Sequence, residues 1–160
     1  MSDSAAPGQR LLKLWRTLER IPGGAGVFSR VLGRTVPYTG TIGARVVELE
    51  PGRAVIALAD RKKVRNHLGS VHAVALVNLG ELATGLSVLT ALPPGVRGIV
   101  TNLSAAYLKK ARGPIIATAD VRALGLGDIR VSRDLEVSAD LTNVDGETVA
   151  RVTARWRVGP

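Results

Sequence analysis

The chain of 160 residues is predicted to be an α+β domain in which an antiparallel sheet wraps around one long helix. First, the segment Val71–Thr90 lacks proline and is apolar on nearly every side, as expected of a helix that is buried all round. Second, two runs of strand-like composition precede this segment and four follow it. Third, short turns such as Pro51-Gly52 join consecutive runs, which favours antiparallel pairing. Together these observations give the α+β class.

The amino-terminal segment is predicted to be helical. Apolar residues recur at helical spacing from Leu11 to Ile21 with basic residues between them, and Pro22-Gly23-Gly24 ends this helix. A second short helical piece is predicted around Val27–Leu32. We therefore divide the chain into an amino-terminal helical extension, residues 1–33, and a main domain, residues 34–160. The first helix is interpreted as a surface helix that packs one apolar stripe on the domain, with membrane or partner binding as the alternative.

The strand-like runs are rich in Val, Ile and Ala, and they are Thr41–Glu50, Arg53–Asp60, Gly98–Leu108, Pro114–Ala123, Ile129–Thr142 and Glu147–Val158. The last run alternates most clearly, because apolar residues from Ala150 to Val158 are separated by Arg151, Thr153, Arg155 and Arg157. Such alternation predicts a strand with one buried face and one solvated face. The turn Asn143–Gly146 joins the last two runs as a hairpin.

Composition excludes several classes of protein and site. Hydrophobic residues make up 46% of the chain, so it is not disordered. Because cysteine is absent and there are only two histidines, disulfides, thiol catalysis and a metal site are not expected. The segment Met1–Arg10 lacks the apolar run of a signal peptide, and no run approaches the ~20 apolar residues of a membrane span. We therefore predict a cytoplasmic protein without a transmembrane segment.

The charge of the chain narrows the class of partner. Its 22 Lys and Arg exceed its 13 Asp and Glu, which gives a net charge of +9. This charge favours anionic partners such as nucleic acid, an anionic membrane or a phosphorylated small molecule. Aromatic residues make up only 3%, too few for the stacking platforms that bind single strands. Nucleic acid is therefore not an expected partner.

Three polar residues in or near the apolar segment indicate a site, because burying a polar group costs free energy unless it is satisfied or used. Asn66 lies in the loop before the predicted helix, His72 in its first turn, and Glu81 nine residues later in its apolar body. Nine residues is about two and a half helical turns, so Glu81 does not lie directly above His72 in one chain. Joint action of the two therefore requires a second copy, which predicts a homo-oligomer.

The run from Asn66 to Leu76, followed by Glu81-Leu82-Ala83, resembles the signature of hotdog-fold thioesterases of the phenylacetate-pathway type. In that family an Asn is followed after five residues by His-Gly-Gly, and an acidic residue lies nine positions after the His. Asn66, His72 and Glu81 keep both spacings, and the resemblance covers about Thr35–Val158. The resemblance implies a hotdog fold and an acyl-CoA thioesterase acting as a dimer or a dimer of dimers. It implies no cofactor apart from the coenzyme A moiety of the substrate. Two departures are Ala73-Val74 in place of Gly-Gly and Glu81 in place of the commoner Asp.

Roles for the catalytic residues follow from this site. Unpaired N–H groups at a helix start stabilise a carbonyl oxygen that gains negative charge, so the Ala73 N–H is the predicted oxyanion donor and Ser70 the candidate N-cap. Burial of Glu81 would raise its basicity towards that of a general base for water, and direct attack by Glu81 is the alternative. Asn66 is expected to hold the water or the carbonyl, and His72 to orient the thioester.

Further residues are predicted to bind substrate. They include Ser70 beside the predicted helix start, and Asn102 and Ser104 on the strand after the long helix. Cations suited to the phosphates of coenzyme A form two groups, Arg61, Lys62, Lys63 and Arg65, and Lys109, Lys110 and Arg112. A solvated surface is the alternative for any one of these cations. Two other functions stay open, a non-catalytic acyl or acyl-CoA binding protein and, on charge alone, a nucleic-acid binder.

Overall fold

The computed structural model describes residues 6–160 and confirms the α+β class. Within these residues, one antiparallel sheet has the strand order β1-β2-β4-β5-β6-β3. The strands, in chain order from β1 to β6, are Arg45–Glu50, Arg53–Leu58, Arg97–Tyr107, Ile115–Asp120, Arg133–Thr142 and Thr148–Gly159. Each predicted run overlaps one of these strands, and the observed strands differ from the runs only at their ends.

Three helices precede the sheet and one lies within its curve. They are α1 (Pro7–Leu18), α2 (Gly24–Thr35), α3 (Pro37–Gly40) and α4 (Ala73–Ala91). The short α3 was not predicted. Helix α1 begins earlier than the predicted helix, with Pro7 in its first turn, and it ends at Leu18 rather than at Ile21. Residues 33 and 34, the predicted domain boundary, lie inside α2. Residues 1–5 of the predicted extension and of the segment tested for a signal peptide lie outside the described residues.

Helix α4 packs against the concave side of the sheet and forms the centre of the core. Two glycines allow this close approach: a Cβ on Gly80 would lie 2.4 Å from the Cβ of Val152, and one on Gly85 would lie 3.3 Å from the Trp156 ring. The helix is long and apolar enough to cross a bilayer, but 72% of its apolar window is buried inside the protein. Helix α4 is therefore the buried core helix predicted from the apolar segment Val71–Thr90.

The amino-terminal helices pack on the same core. Leu12, Trp15, Phe28 and Leu32 are buried in one apolar cluster with residues of the sheet and of α4. The Trp15 and Phe28 rings meet edge to face with centroids 5.2 Å apart. Helix α1 contacts α4 while α2 contacts β1, so this layer covers the side of α4 that faces away from the sheet. The predicted apolar stripe of the first helix is confirmed.

The outer face of the sheet is solvated, as the alternation in β6 predicts. Four residues of β5 stand directly opposite four of β6 on this face, in the pairs Asp134–Arg157, Glu136–Arg155, Ser138–Thr153 and Asp140–Arg151. The Arg157 and Arg151 guanidinium groups donate to their partners at 2.8 and 2.6 Å, and the two hydroxyls lie 2.8 Å apart. These cross-strand pairs leave little net charge on this part of the face.

A β-bulge divides β3 into two halves, and the alternation of core-facing and outward-facing side chains is reversed in the second half. Val100 stands opposite Trp156 and faces the core, but the register shifts there, so Asn102 stands opposite Arg155 and faces outward. One extra residue reverses the facing of every residue that follows, because side chains alternate along a strand. Leu103 and Tyr107 therefore face α4, whereas Asn102 and Ser104 lie on the outer face of the sheet.

Candidate active site

The start of α4 is built around His72. His72 is the N-cap residue, and its Nδ1 accepts a hydrogen bond from the Val74 N–H at 3.1 Å. An accepting Nδ1 carries no proton, so in this arrangement the neutral imidazole bears its proton on Nε2. The prediction of Ser70 as the N-cap is wrong, because the chain stays extended through Val71 and His72, and the helix begins at Ala73.

The amide of Ala73 is available at this helix start. Among residues 6–160 it has no acceptor, whereas the next amide is taken by the His72 ring. The Tyr107 hydroxyl donates to the Ala73 carbonyl at 3.3 Å and ties the end of β3 to the helix start. The positive end of the α4 dipole lies behind the Ala73 N–H, so this position suits a developing oxyanion.

The side chain of Asn66 organises the preceding loop. The Asn66 Oδ1 accepts from the backbone N–H groups of Leu68 and Ser70 at 2.9 and 3.1 Å, and the Asn66 backbone N–H donates to the Ser70 carbonyl at 2.8 Å. The Asn66 side-chain Oδ1 therefore already accepts hydrogen bonds within the loop. Its Nδ2 has no acceptor among the described residues and is the part of this side chain that a substrate oxygen can contact.

Glu81 lies in the third turn of α4 and is half-buried. Its backbone carbonyl accepts from the Thr84 hydroxyl, but its carboxylate makes no ion pair or hydrogen bond with any residue from 6 to 160. Its Oε1 would lie 3.8 Å from a Cβ on Gly85, a position also flanked by the Trp156 ring. Burial raises the pKa of the Glu81 carboxyl, because the charged form loses water without gaining a partner. An unpaired, desolvated carboxylate is suited to act as a general base.

Asn78 lies one helical turn before Glu81 and carries a second unused group. Its side chain is 8% exposed, and its Nδ2 donates to the Tyr38 carbonyl at 3.4 Å. Its Oδ1 is the buried side-chain polar atom without a hydrogen-bond partner in the described part of the chain. By contrast, the buried hydroxyls of Ser87 and Thr90 on the same helix donate to carbonyls of the preceding turn.

The helix start and Glu81 are far apart in one chain. Nine residues of helix separate His72 from Glu81, a rise of roughly 13 Å at about 1.5 Å per residue. A water molecule and a thioester carbonyl span only a few ångströms, so one protomer does not bring these two groups to the same reacting atoms. Joint action of His72 and Glu81 on one substrate would therefore require a second copy of the chain, and the structure describes one copy.

Two grooves flank the helix start and divide the predicted site residues between them. A groove of about 520 Å³ is lined by residues that include Asn66, Ser70, Ala73, Lys109 and Lys110. A smaller cleft of about 220 Å³ lies on the other side and includes His72, Asn78, Lys63 and Arg65. Ala73 and Asn66 thus share a surface with one cationic group, while His72 faces the other.

The remaining predicted binders lie in different surroundings. Lys109 pairs with Glu147 at 2.5 Å, and Arg65 pairs with Asp60 at 2.6 Å. Lys62 and Lys63 are exposed on a short 3-10 turn, and Lys110 and Arg112 are exposed on either side of the buried Ala111. Arg61 donates to two backbone carbonyls of the loop before β1. Asn102 and Ser104 are not brought to the helix start, because the bulge in β3 turns them to the outer face.

Sequence reasoning missed Tyr107 and gave Asn78 only a supporting role. The signal for Tyr107 was weak, since its contact with Ala73 depends on the register of β3 after the bulge. Asn78 stands out in the sequence as an amide in an otherwise apolar helix. Among the residues that the structure describes, no group of three His or acidic side chains is placed to hold a metal ion.

Comparison with known proteins identifies the family. Residues 24–158 match the family described as "Domain of unknown function (DUF4442)". The chain belongs to the DUF4442 family. A Halobacterium salinarum protein named "Putative esterase VNG_1336C" is 34% identical to this DUF4442 protein over 124 residues, and the match covers 73% of this chain and 81% of the relative.

Solved structures share the fold of this DUF4442 protein. The structure of APC5556 has a TM-score of 0.81 at 31% identity and covers 94% of this chain and 98% of its own. The protein PA5026 from Pseudomonas aeruginosa, described as a probable thioesterase, has a TM-score of 0.75 at 24% identity, with 87% of this chain and 96% of its own covered. The resemblance to hotdog-fold thioesterases and the fold that it implies are therefore confirmed.

Proposed function

We propose that this DUF4442 protein hydrolyses acyl-CoA thioesters in the cytoplasm as a homodimer, with Glu81 of one protomer facing the α4 start of the other. The observation that carries the proposal is the state of Glu81, a half-buried carboxyl on the core helix without a partner in residues 6–160 and with a raised pKa. An unpaired buried charge destabilises a fold, so its presence calls for a use. The similarity to an esterase-named relative supports hydrolysis as that use.

The edge strand β3 supports the dimer. It has eleven residues and pairs with β6 on one side, while its other side has no strand partner in the described chain. Ile99, Leu103 and Tyr107 on this strand are 65%, 40% and 51% exposed. A long apolar edge strand is a liability unless it is covered. Pairing of β3 with its copy would cover this edge and bring the second chain beside the start of α4.

The reaction uses groups already described. The Glu81 carboxylate takes a proton from water, and the water oxygen attacks the thioester carbonyl carbon. The Ala73 N–H donates to the oxyanion of the tetrahedral intermediate. The C–S bond then breaks, the carboxylic acid leaves, and the thiolate receives the proton held by Glu81. Attack by Glu81 itself would form an anhydride instead, and hydrolysis in ¹⁸O-labelled water distinguishes the routes, because only the anhydride route labels the Glu81 carboxyl in a single turnover.

The test is thiol release from a panel of acyl-CoAs. Glu81→Gln keeps the size of the side chain but removes the base, so kcat/KM should fall by about 10²–10⁴-fold. Glu136→Gln is the matched control, because Glu136 is exposed on the outer face of the sheet. Unchanged turnover in Glu81→Gln, or equal losses in both variants, would remove Glu81 from the mechanism.

One observation favours a non-catalytic acyl-CoA binding protein instead. The amide of Val74 is taken by His72, and the side chains of Ala73 and Val74 are exposed at the helix start. Fewer free donors and less space both weaken oxyanion stabilisation. A binding protein would show an acyl-CoA-dependent rise in Tm without thiol release from any member of the panel.

A further inference from the structure

A third cleft, which the site described above does not use, lies between α2, α3 and the beginning of β1. Its volume is about 480 Å³, within the range of about 300–1,000 Å³ that is common for small-molecule sites. Glycines at positions 26, 33, 40 and 43 line it together with Ser29 and Thr39. Leu82, the residue after Glu81 on α4, also lines it.

Four arginines from three parts of the chain line this cleft. Arg30 and Arg34 stand one turn apart on α2, Arg45 begins β1, and Arg61 follows β2. None of the described residues that line the cleft is acidic. The side chains of Arg30, Arg34 and Arg45 make no ion pair or hydrogen bond within residues 6–160. Like charges around one concave surface repel each other and concentrate anions there.

The walls of the cleft are preformed. A Cβ on Gly40 would lie 2.3 Å from the Gly33 carbonyl oxygen, so the backbones of α2 and α3 are in direct contact. The Val46 N–H donates to the Ser29 hydroxyl at 2.9 Å and holds α2 against β1. Arg61 Nη2 donates to the Ile42 and Gly43 carbonyls at 2.5 and 3.2 Å, which fixes its guanidinium at the rim. A preformed site loses less conformational entropy on binding.

We propose that this cleft binds the phosphate groups of the coenzyme A moiety, an inference that rests on the proposed thioesterase function. Guanidinium groups bind phosphates through paired hydrogen bonds, and the donors of Arg30, Arg34 and Arg45 are not used within the described residues. The two cationic groups proposed from the sequence fit less well, since Arg65 and Lys109 already pair with carboxylates. The contact with Leu82 brings the cleft to the central helix at the level of Glu81.

A phosphate-free substrate separates binding in the cleft from catalysis. Arg30→Gln/Arg34→Gln should raise KM for an acyl-CoA by about tenfold or more, because it removes charge-assisted contacts to the phosphates. The loss should be confined to the phosphate-bearing substrate, so the thioester of the same acyl group with N-acetylcysteamine should retain its KM. Arg16→Gln/Arg20→Gln is the matched control, since it removes the same charge from the amino-terminal helical layer outside this cleft.

A second pair of variants places a larger side chain in the cleft while all four arginines are kept. A Cβ on Gly26 would meet no atom within 4 Å, and Gly26 lies in the first turn of α2, where an acidic side chain is favourable. Gly26→Glu should therefore fold and should raise KM for acyl-CoA more than Gly26→Gln does. Equal effects of the two would attribute the change to bulk rather than to charge and would count against an anion site.

Direct binding distinguishes failure of this site from failure of the proposed function. Calorimetry with adenosine 3′,5′-bisphosphate should detect binding to the wild-type protein that weakens with salt and is lost in Arg30→Gln/Arg34→Gln. If no thioester is hydrolysed but this binding is present, the thioesterase proposal fails and the proposal of a phosphate site in the cleft is supported. Absence of binding, or an equal loss of binding in Arg16→Gln/Arg20→Gln, overturns the proposal that the cleft binds these phosphates. Arginine-dependent binding to phosphatidylglycerol vesicles without binding to the nucleotide would assign the phosphates to a lipid headgroup and would also overturn it.

Discussion

Charged groups are treated differently on the two sides of this protein. On the outer face of the sheet, Arg151 and Arg157 of β6 stand opposite carboxylates of β5 and pair with them. On the helical side, Glu81 and the arginines of the cleft beside α2 have no such partners within residues 6–160. Both regions are rich in charge, but only the outer face is neutralised by its own residues. Exposed pairs add little to stability and mainly keep the surface solvated.

The difference separates structural charges from charges that a ligand can use. The outer-face residues stand in register on neighbouring strands, so pairing follows from the sheet itself. Glu81 lies on the central helix, and the cleft arginines come from α2, the start of β1 and the segment after β2. None of the residues that line the cleft carries an opposite charge. Arg30, Arg34 and Arg45 therefore keep their donors for a ligand, and the Glu81 carboxylate remains able to accept a proton.

The largest expected effect is on the pH dependence of catalysis. Only deprotonated Glu81 can act as a base, and burial raises its pKa. Below that pKa, kcat/KM should fall about tenfold for each pH unit, and the fall should begin at a higher pH than for an ordinary glutamate at about 4.3. A profile of kcat/KM from about pH 4 to about pH 9 measures this. A rate that stays level down to the ordinary glutamate pKa would contradict the role of Glu81.

Asp60 is a paired carboxylate on the helical side, and its removal should have the next largest effect. It accepts from Arg65 at 2.6 Å and from the Gly113 amide at 3.0 Å, so it joins the loop before α4 to the loop after β3. Asp60→Asn should lower Tm by a few degrees. The hydrogen bond from Arg65 lowers the pKa of Asp60, so its stabilisation is present above the ordinary carboxyl pKa and is lost as the pH falls through the folded value. Melting curves should therefore show a Tm difference between the two proteins at neutral pH that shrinks at acidic pH, and a difference that persists unchanged in acid would contradict this role of the Asp60 carboxylate.

Glu81→Gln should raise stability by a smaller amount while it removes activity. The pKa of Glu81 is raised in the folded state, so the folded protein binds the proton more tightly than the unfolded chain. Stability is then highest below the unfolded pKa and is lost as the pH rises through the folded pKa. Replacement by neutral Gln should raise Tm at neutral pH, and the gain should shrink in acid. A lower Tm at neutral pH would mean that the charged carboxylate has a stabilising partner.

The smallest effect is expected on the outer face. Asp140→Asn/Arg151→Gln removes a cross-strand pair whose side chains are about half exposed. We expect no measurable change in Tm or in kcat/KM, because such pairs gain little over solvation by water. Thermal melts and thiol-release assays in parallel test this. A clear loss of activity would show that the outer face is not merely a solvated surface and would remove the contrast between the two sides.

Much of the fold was predictable because local periodicity reflects burial. The alternation in β6 and the all-round apolar character of α4 both correspond to the observed faces. The spacing of His72 and Glu81 was also informative, because a helix converts nine residues into a known rise. The N-cap was predicted at Ser70 from residue preference, yet His72 caps the helix, because the pairing of Arg65 with Val71 keeps the chain extended up to it.

By itself, the sequence determined the strands, the buried helix and the spacing of the three polar residues, since these depend on contacts between near neighbours in the chain. Only the tertiary structure decided that a bulge turns Asn102 outward, that Glu81 is left without a partner, and that arginines of α2 and β1 share one cleft with Arg61. Sheet register and the packing of distant segments set these features. No local pattern reports them, because the residues involved meet only once the chain has folded.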